Sequence, residues 1–288
     1  MTTSTIHRIY FGFDGKPDPY LGYLKNWQAQ LPDFEIRHWN ASNLPMDVCR
    51  FVKEMHSFKD HAFLSDYFRW WVIREFGGIY FDADIEVVNA DAVRKIVQDL
   101  EHAEDYDAVI GIDNREGGWY TGHSMMGKRG SSYSKFMCEV YEDFGALSIW
   151  RRKIFYFMSP QLSALYFCYN GYNVDGMGTS PHLHEPIIQS RVKIFPQQVF
   201  SPLTPASRNG KPSFALDALT PETAICHHFS CSWHDDQSPY RKAKGSLEAE
   251  CVTLQQLIDS GQYSEPAKES AVEKGLLRRF LRTLGVTE

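Results

Sequence analysis

The sequence between His61 and Asp84 reads HAFLSDYFRWWVIREFGGIYFDAD, and this stretch decides the fold class. Its first two thirds are apolar nearly all round, which predicts a buried helix from His61 to Phe76. Gly77-Gly78 is a helix stop, and the apolar residues after it predict a short buried strand, Ile79–Phe81. The stretch therefore predicts a buried helix that leads directly into a buried strand, with two carboxylates where that strand ends.

Predicted strands and helices alternate on both sides of this stretch. The strands are Ile6–Phe11, Phe34–Trp39, Ile85–Val88, Asp107–Ile112, Val192–Phe195 and Ala224–Phe229, and the helices are Tyr20–Leu31, Met46–Met55, Asp91–His102, Ser131–Phe144 and Ser159–Tyr169. The glycine-rich segment Arg115–Gly130 and the polar segment Ser201–Pro221 are predicted as loops. This order predicts an α/β fold with flanking helices and a mostly parallel central sheet.

The composition is that of an ordinary globular protein. The chain has 288 residues, 43% of them hydrophobic, and a formal net charge of -6, so a general nucleic-acid binder is not expected. The first residues lack the pattern of a signal peptide, and no apolar run is long enough to cross a membrane. The six cysteines form no CxxC pair, and we therefore expect a cytoplasmic protein with reduced thiols.

Two pairs of charged residues could carry chemistry. Asp82 and Asp84 lie two residues apart after the buried strand, and on an extended chain both would face one side. Carboxylates this close repel each other unless a cation lies nearby, and Mg²⁺ and Mn²⁺ prefer such ligands. Asp66 and Arg69 share one face of the buried helix, where charges are costly without a partner or a purpose. An ordinary acidic turn and a weak ion pair are the alternatives.

Ala62–Arg69 followed by Glu75–Asp84 closely resembles the sugar-binding region of glycosyltransferase family 32. That family includes the fungal initiating α-1,6-mannosyltransferases and many bacterial polysaccharide transferases, and the clostridial toxin glucosyltransferase domains share the motif more distantly. Further similar segments are Ile6–Gly12, Leu31–Ile36 and His227–Trp233.

The resemblance implies a GT-A fold and a retaining, metal-dependent hexosyltransferase that uses a nucleotide sugar, with a UDP-sugar favoured. It implies Mn²⁺ or Mg²⁺ as cofactor and a glycan or lipid-linked saccharide as acceptor, in the synthesis of a surface polysaccharide such as capsule or lipopolysaccharide. The resemblance implies that Tyr10 contacts the nucleobase and that Asp66 and Arg69 bind the donor sugar. It implies that Tyr80 contacts the diphosphate or the sugar, and that Trp233 contacts the donor diphosphate. Asp82 would contact the ribose, the sugar and metal-bound water, while Asp84 and His228 would bind the metal. Asp66, Arg69, Asp82 and Asp84 form the expected catalytic set, and a metal contact from Ser230, Cys231 or Ser232 stays open.

The division expected along the chain is a GT-A domain over 1–264 and a basic amphipathic helix over 265–288. Such a helix suits peripheral contact with the inner face of the plasma membrane, and docking on its own domain or on a partner is the alternative. Two other functions compete with transfer. One is a non-catalytic nucleotide-sugar-binding module on the same fold, and the other is a metal-dependent hydrolase of phosphate esters.

Overall fold

A computed structural model describes residues 4–113, 119–149, 159–171, 183–208, 211–216, 219–229, 251–259 and 263–264. The strands are β1 (Thr5–Ile9), β2 (Glu35–Trp39), β3 (Gly78–Phe81), β4 (Ile85–Val87), β5 (Ala108–Asp113), β6 (Trp119–Gly127), β7 (Ile187–Gln189), β8 (Val192–Phe195), β9 (Leu203–Arg208), β10 (Lys211–Leu216), β11 (Ile225–His227) and β12 (Tyr263–Ser264). The helices are α1 (Leu21–Gln30), α2 (Arg50–Ser57), α3 (His61–Phe76), α4 (Ala90–His102), α5 (Ser132–Ile149), α6 (Ser159–Tyr169), α7 (Gln197–Phe200) and α8 (Leu254–Asp259).

Seven strands form one central sheet in the order β2-β1-β3-β6-β5-β8-β7. Five of them run in the same direction, and β6 and β7 run against them. Two smaller sheets lie beside it, one of β12, β10 and β9 and one of β11 and β4. The predicted α/β class with a mainly parallel central sheet is confirmed.

Helix α3 and strand β3 have the predicted bounds to within one residue, and the sequence explains their junction. The carboxylate of Asp60 accepts a hydrogen bond from the backbone N–H of Phe63 and caps the helix. At the other end Gly77 and Gly78 have φ angles of 69° and 101°, a region that favours glycine. A Cβ atom on Gly78 would lie 2.6 Å from the carbonyl oxygen of Thr5. The two glycines therefore let the chain leave the helix and enter the sheet beside β1 without a connecting loop.

Apolar side chains cover both faces of the sheet. One core contains residues of α2, α3, α5 and α6, with Trp70 and Phe167 among the fully buried rings. The other contains residues of α1, α4 and α7, with Trp27 and Phe200. The carboxyl ends of the central parallel strands β1 and β3 meet at one edge between these cores, which is where open α/β sheets bind ligands.

The structure corrects the predicted loops. The segment 115–130 contains β6, which lies between β3 and β5 in the centre of the sheet. The polar segment 201–221 contains the antiparallel pair β9 and β10. Within the described part of the chain, no helix is long and apolar enough to span a membrane. The predicted C-terminal helix over 265–288 lies outside the described residues.

Candidate functional site

Arg69 lies at the centre of a charged cluster where α3 faces the end of β3. Its Nη2 atom is 2.9 Å from Oδ1 of Asp66 and 3.6 Å from Oδ1 of Asp82. Its Nη1 donates a hydrogen bond of 2.6 Å to the carbonyl oxygen of Gly122, and Nε donates to that of Ser65. Because the guanidinium is buried and held at several atoms, its position is fixed before any ligand binds.

Asp82 connects this cluster to the neighbouring strand. Its Oδ1 accepts a hydrogen bond of 2.5 Å from the hydroxyl of Tyr80, and its backbone N–H donates to the carbonyl oxygen of His123. Burial raises the pKa of Asp82, and the nearby Asp84 raises it further while Arg69 opposes the shift. Burial likewise raises the pKa of Asp66 to about 6, against the effect of Arg69. The predicted donor-sugar residues are thus brought together in an environment that disfavours uncompensated negative charge.

Asp82, Asp84 and His227 form a candidate metal centre. Each offers one ligand atom, and these atoms lie within 4.8 Å of one another. Nε2 of His227 is 3.3 Å from Oδ1 of Asp84, while its Nδ1 is buried with no hydrogen-bond partner among the described residues. Two carboxylates and an imidazole are ligands that suit Mn²⁺ or Mg²⁺, and a cation would relieve their crowding. The residues present therefore fit a divalent cation.

His228 is not brought to this centre, contrary to the sequence expectation. Its Nε2 lies 2.8 Å from Oε2 of Glu86, and its ring stacks on Tyr23 at 4.9 Å. The same Glu86 oxygen accepts a hydrogen bond from the backbone N–H of Leu254, which begins α8. Adjacent residues of an extended segment point to opposite sides, so only one of the two histidines can face Asp84. The structure replaces His228 by His227 as the candidate ligand.

The ring of His123 was not among the predicted site residues, and the structure places that ring against the candidate metal centre. It stacks on His227 with ring centroids 4.3 Å apart, and its Nε2 lies 2.8 Å from the hydroxyl oxygen of Ser201. His123 stands in β6, next to Gly122, which accepts from Arg69. Recognising β6 as a strand at the ligand-binding edge would have pointed to His123.

Tyr10 follows β1 at the same edge of the sheet. Its backbone N–H donates to the carbonyl oxygen of Trp39, and its hydroxyl donates to the carbonyl oxygen of Pro17. The loop after β1 therefore holds the half-buried ring. Trp233 lies outside the described residues, together with Ser230, Cys231 and Ser232. The structure thus collects five of the predicted site residues around one point, with Tyr10 at the end of the neighbouring strand; the five are Asp66, Arg69, Tyr80, Asp82 and Asp84.

Part of the chain matches a known glycosyltransferase family model. Residues 17–99 match the family described as the glycosyltransferase sugar-binding region containing a DXD motif. That segment contains the five collected residues, with Asp82-Ala83-Asp84 as its DXD sequence. Tyr10 and His227 lie outside it. No curated protein matches the chain at a significant level.

The chain is also similar to several solved glycosyltransferases at low identity. The PaToxG glycosyltransferase is 10% identical over 58% of this chain and 69% of that chain, with a TM-score of 0.46. An active-site mutant of LgtC is 14% identical over 92% of this chain and 98% of that chain, with a TM-score of 0.44. A glycosyltransferase involved in the glycosylation of the major capsid of PBCV-1 is 10% identical over 68% and 84%, with a TM-score of 0.36.

Proposed function

We propose that this chain is a retaining, metal-dependent glycosyltransferase of the GT-A type. It moves a hexose from a nucleotide sugar, with a UDP-sugar favoured, to a glycan or lipid-linked saccharide. One observation carries the proposal: Arg69 is fixed between Asp66 and Asp82, beside the Asp82–Asp84–His227 group, within the segment that matches the DXD-containing region. The buried guanidinium of Arg69 and the candidate metal centre thus lie side by side at the sheet edge where open α/β folds bind ligands.

Separate residues of the chain would bind the metal ion, stabilise the departing nucleotide diphosphate and bind the donor sugar. Asp82, Asp84 and His227 would hold Mn²⁺ or Mg²⁺, which when bound supplies positive charge to the departing nucleotide diphosphate. Arg69 adds a second fixed cation that needs no reorganisation as negative charge develops. Asp66 accepts hydrogen bonds from sugar hydroxyls while Arg69 fixes its orientation. The residues assigned here do not include a nucleophile, and we propose departure and attack on the same face of the sugar, which retains the anomeric configuration.

The biological setting is a proposal drawn from the resemblance to bacterial polysaccharide transferases. We place the enzyme in the cytoplasm, at the inner face of the plasma membrane, where lipid-linked saccharides and nucleotide sugars meet. Synthesis of capsule or lipopolysaccharide is the process that this chemistry suits.

The direct test incubates the full chain with Mn²⁺ and a panel of nucleotide sugars, and follows nucleotide release. We expect turnover of at least one donor, loss of activity with a chelator and recovery with added Mn²⁺. Asp84→Asn should lower the rate at least about 100-fold. It removes a candidate ligand of the metal ion whose charge would stabilise the departing nucleotide diphosphate. Glu35→Gln is the control, since this exposed carboxylate lies away from the site on β2 and pairs with Arg37. NMR of the product gives the anomeric configuration.

Other outcomes separate the competing functions. Tight donor binding without turnover, for every acceptor tried, would identify a nucleotide-sugar-binding module. Release of phosphate from simple phosphomonoesters would identify a hydrolase. An Asp84→Asn variant as fast as the parent chain would overturn the metal assignment.

A further inference from the structure

A buried ion pair lies at the carboxyl end of β1, beside Tyr10. Arg8 is only 4% exposed, and its Nη2 lies 2.5 Å from Oδ2 of Asp18. Its Nε is buried and has no hydrogen-bond partner in the part of the chain that the structure describes. Buried guanidinium groups normally have their N–H donors satisfied. A buried arginine with an unused donor at a ligand-binding edge suggests that a ligand supplies an acceptor.

The pair lies beside Tyr10, the residue for which the family resemblance implies contact with the nucleobase. Arg8 is opposite Phe81 in the β1–β3 pairing, so it lies one strand away from the Asp82 backbone. Arg8 and Tyr10 alternate to the same face, and the guanidinium carbon is 5.6 Å from the Tyr10 ring centroid. Because the guanidinium lies over the Tyr10 ring and pairs with Asp18, a base that contacts Tyr10 would also lie next to Arg8 and Asp18.

The carboxylate of Asp18 is held in place as an acceptor. Its Oδ1 accepts a hydrogen bond of 2.9 Å from the backbone N–H of Tyr20, and its Oδ2 accepts from Arg8. The Tyr20 ring lies edge-on to Tyr10 at 6.4 Å, and the Tyr10 hydroxyl bonds to the carbonyl of Pro17. The pair thus presents donor groups next to a fixed acceptor, on a loop that is tied to the ring predicted to contact the base.

This donor–acceptor pattern distinguishes bases. Uracil and thymine present the O4 acceptor next to the N3–H donor, and guanine presents the O6 acceptor next to the N1–H donor. Cytosine and adenine present the reverse, an amino donor next to a ring-nitrogen acceptor. We propose that Arg8 and Asp18 read the base of the nucleotide donor, accepting uracil, thymine or guanine and rejecting cytosine and adenine. This inference rests on the proposed function, because it assigns a base to the donor of that same site.

The test measures the affinity of the full chain, with Mn²⁺ present, for UDP, GDP, CDP and ADP by calorimetry. We expect UDP or GDP to bind at least about tenfold more tightly than CDP and ADP, since a wrong base leaves buried polar groups unpaired. Asp18→Asn should reduce this preference to less than about threefold, because an amide both donates and accepts. Asp14→Asn is the matched control: Asp14 forms an exposed ion pair with Lys59 near the same loop, and the variant should keep the preference.

A second variant keeps the test decisive where Asp18→Asn lowers the melting temperature. Arg8→Lys retains the charge but loses the fork of donors, and it should weaken UDP and GDP binding more than CDP and ADP binding. Equal affinity of the parent chain for all four nucleotides would overturn the base-reading role and leave the proposed function standing. Equal weakening of the binding of all four nucleotides by both variants would also overturn the base-reading role. It would show that the Arg8–Asp18 pair supports the loop or contacts the diphosphate instead. Failure of every nucleotide to bind with Mn²⁺ would overturn the proposed function and this inference together.

Discussion

The two ends of β3 are built alike but hold different chemistry. Arg69 and Ile73 are one turn apart on α3, and each packs against a glycine of β6. A Cβ atom on Gly122 would lie 2.9 Å from Nη1 of Arg69, and one on Gly127 would lie 2.5 Å from Cγ2 of Ile73. At the Gly127 end the close neighbour is a methyl group near the helix backbone, whereas at the Gly122 end it is the guanidinium at the tip of a long side chain, together with Oγ of Ser159 at 2.5 Å.

The polar groups at the two ends of β3 differ in how well the protein itself satisfies them. At the amino end of β3, Nε2 of His7 lies 2.8 Å from the carbonyl oxygen of Gly77, and Nδ1 accepts from Nε1 of Trp39 at 3.0 Å. Both ring nitrogens are thus satisfied by the protein. At the carboxyl end, Asp66 and Asp82 have raised pKa values because burial costs their charges more than Arg69 returns. Polar groups that are satisfied within the protein stabilise the fold, whereas charged groups with perturbed pKa values at a sheet edge mark a candidate ligand site.

Replacing Arg69 should produce the largest effect. Arg69→Lys keeps a positive charge, but one ammonium group cannot bond Gly122 and Ser65 and also pair with Asp66. We expect the rate of donor turnover to fall about 100- to 1000-fold, the range found when a preorganised donor is removed. Steady-state kinetics on the donor identified by the panel measure this.

Ile73→Val is the matched control one helical turn away. It removes one buried methylene and should cost about 1 kcal/mol of stability with no change in turnover. Equal kinetic losses in both variants would show that α3 acts only as a support, and the distinction between the two ends of β3 would be wrong.

The sequence predicted the elements that depend on local signals. The bounds of α3 followed from its apolar residues and from Gly77-Gly78, and Asp82 and Asp84 were placed correctly after β3. Strand β6 was predicted as a loop because its glycines look like turn residues. In the fold, Ile73 of α3 lies against Gly127, and Ser159 of α6 and the Arg69 guanidinium lie against Gly122, so the need for these glycines becomes visible only after the helices are packed.

The choice between two neighbouring histidines also depended on tertiary structure. The sequence places His227 and His228 next to each other, and the alternation of an extended chain says only that they face opposite sides. The pairing of β11 with β4 decides which side faces Asp84, and it selects His227. The resemblance implied a metal ligand at His228, and the strand pairing instead makes His227 the candidate ligand.

The next largest effect concerns the satisfied end of β3. Burial lowers the pKa of His7 from 6.5 to about 4, with the charge of Arg37 acting in the same direction and the Gly77 bond and Glu35 opposing it. The folded protein thus keeps His7 neutral while the unfolded chain takes up a proton below about pH 6.5. Stability from this residue is therefore complete above pH 6.5 and falls by about 3 kcal/mol as the pH drops to 4.

Urea unfolding of the parent chain and of His7→Gln, measured at pH 7, 5.5 and 4, isolates this contribution. Glutamine does not titrate, so the difference between the two proteins should shrink as the pH falls. A difference that stays constant over this range would mean that His7 takes up its proton at the same pH in the folded and the unfolded chain, which contradicts its burial and its acceptance of the Trp39 bond.

The smallest effect compares the two glycines directly. Gly122→Ala places a methyl group 2.5 Å from Oγ of Ser159 and 2.9 Å from Nη1 of Arg69, so both the serine and the guanidinium must give way. We expect about tenfold weaker donor binding, because a displaced guanidinium loses its alignment with the donor.

In Gly127→Ala the new methyl group meets Ile73 instead. This variant should lower stability by about 1–3 kcal/mol through overpacking, with donor affinity unchanged. Calorimetry with the donor and thermal unfolding of both variants separate the outcomes. Because Arg69 and Ile73 belong to one rigid helix, a loss of donor affinity in Gly127→Ala would show that shifting α3 as a whole moves the guanidinium, and that Gly122 has no special part in holding Arg69.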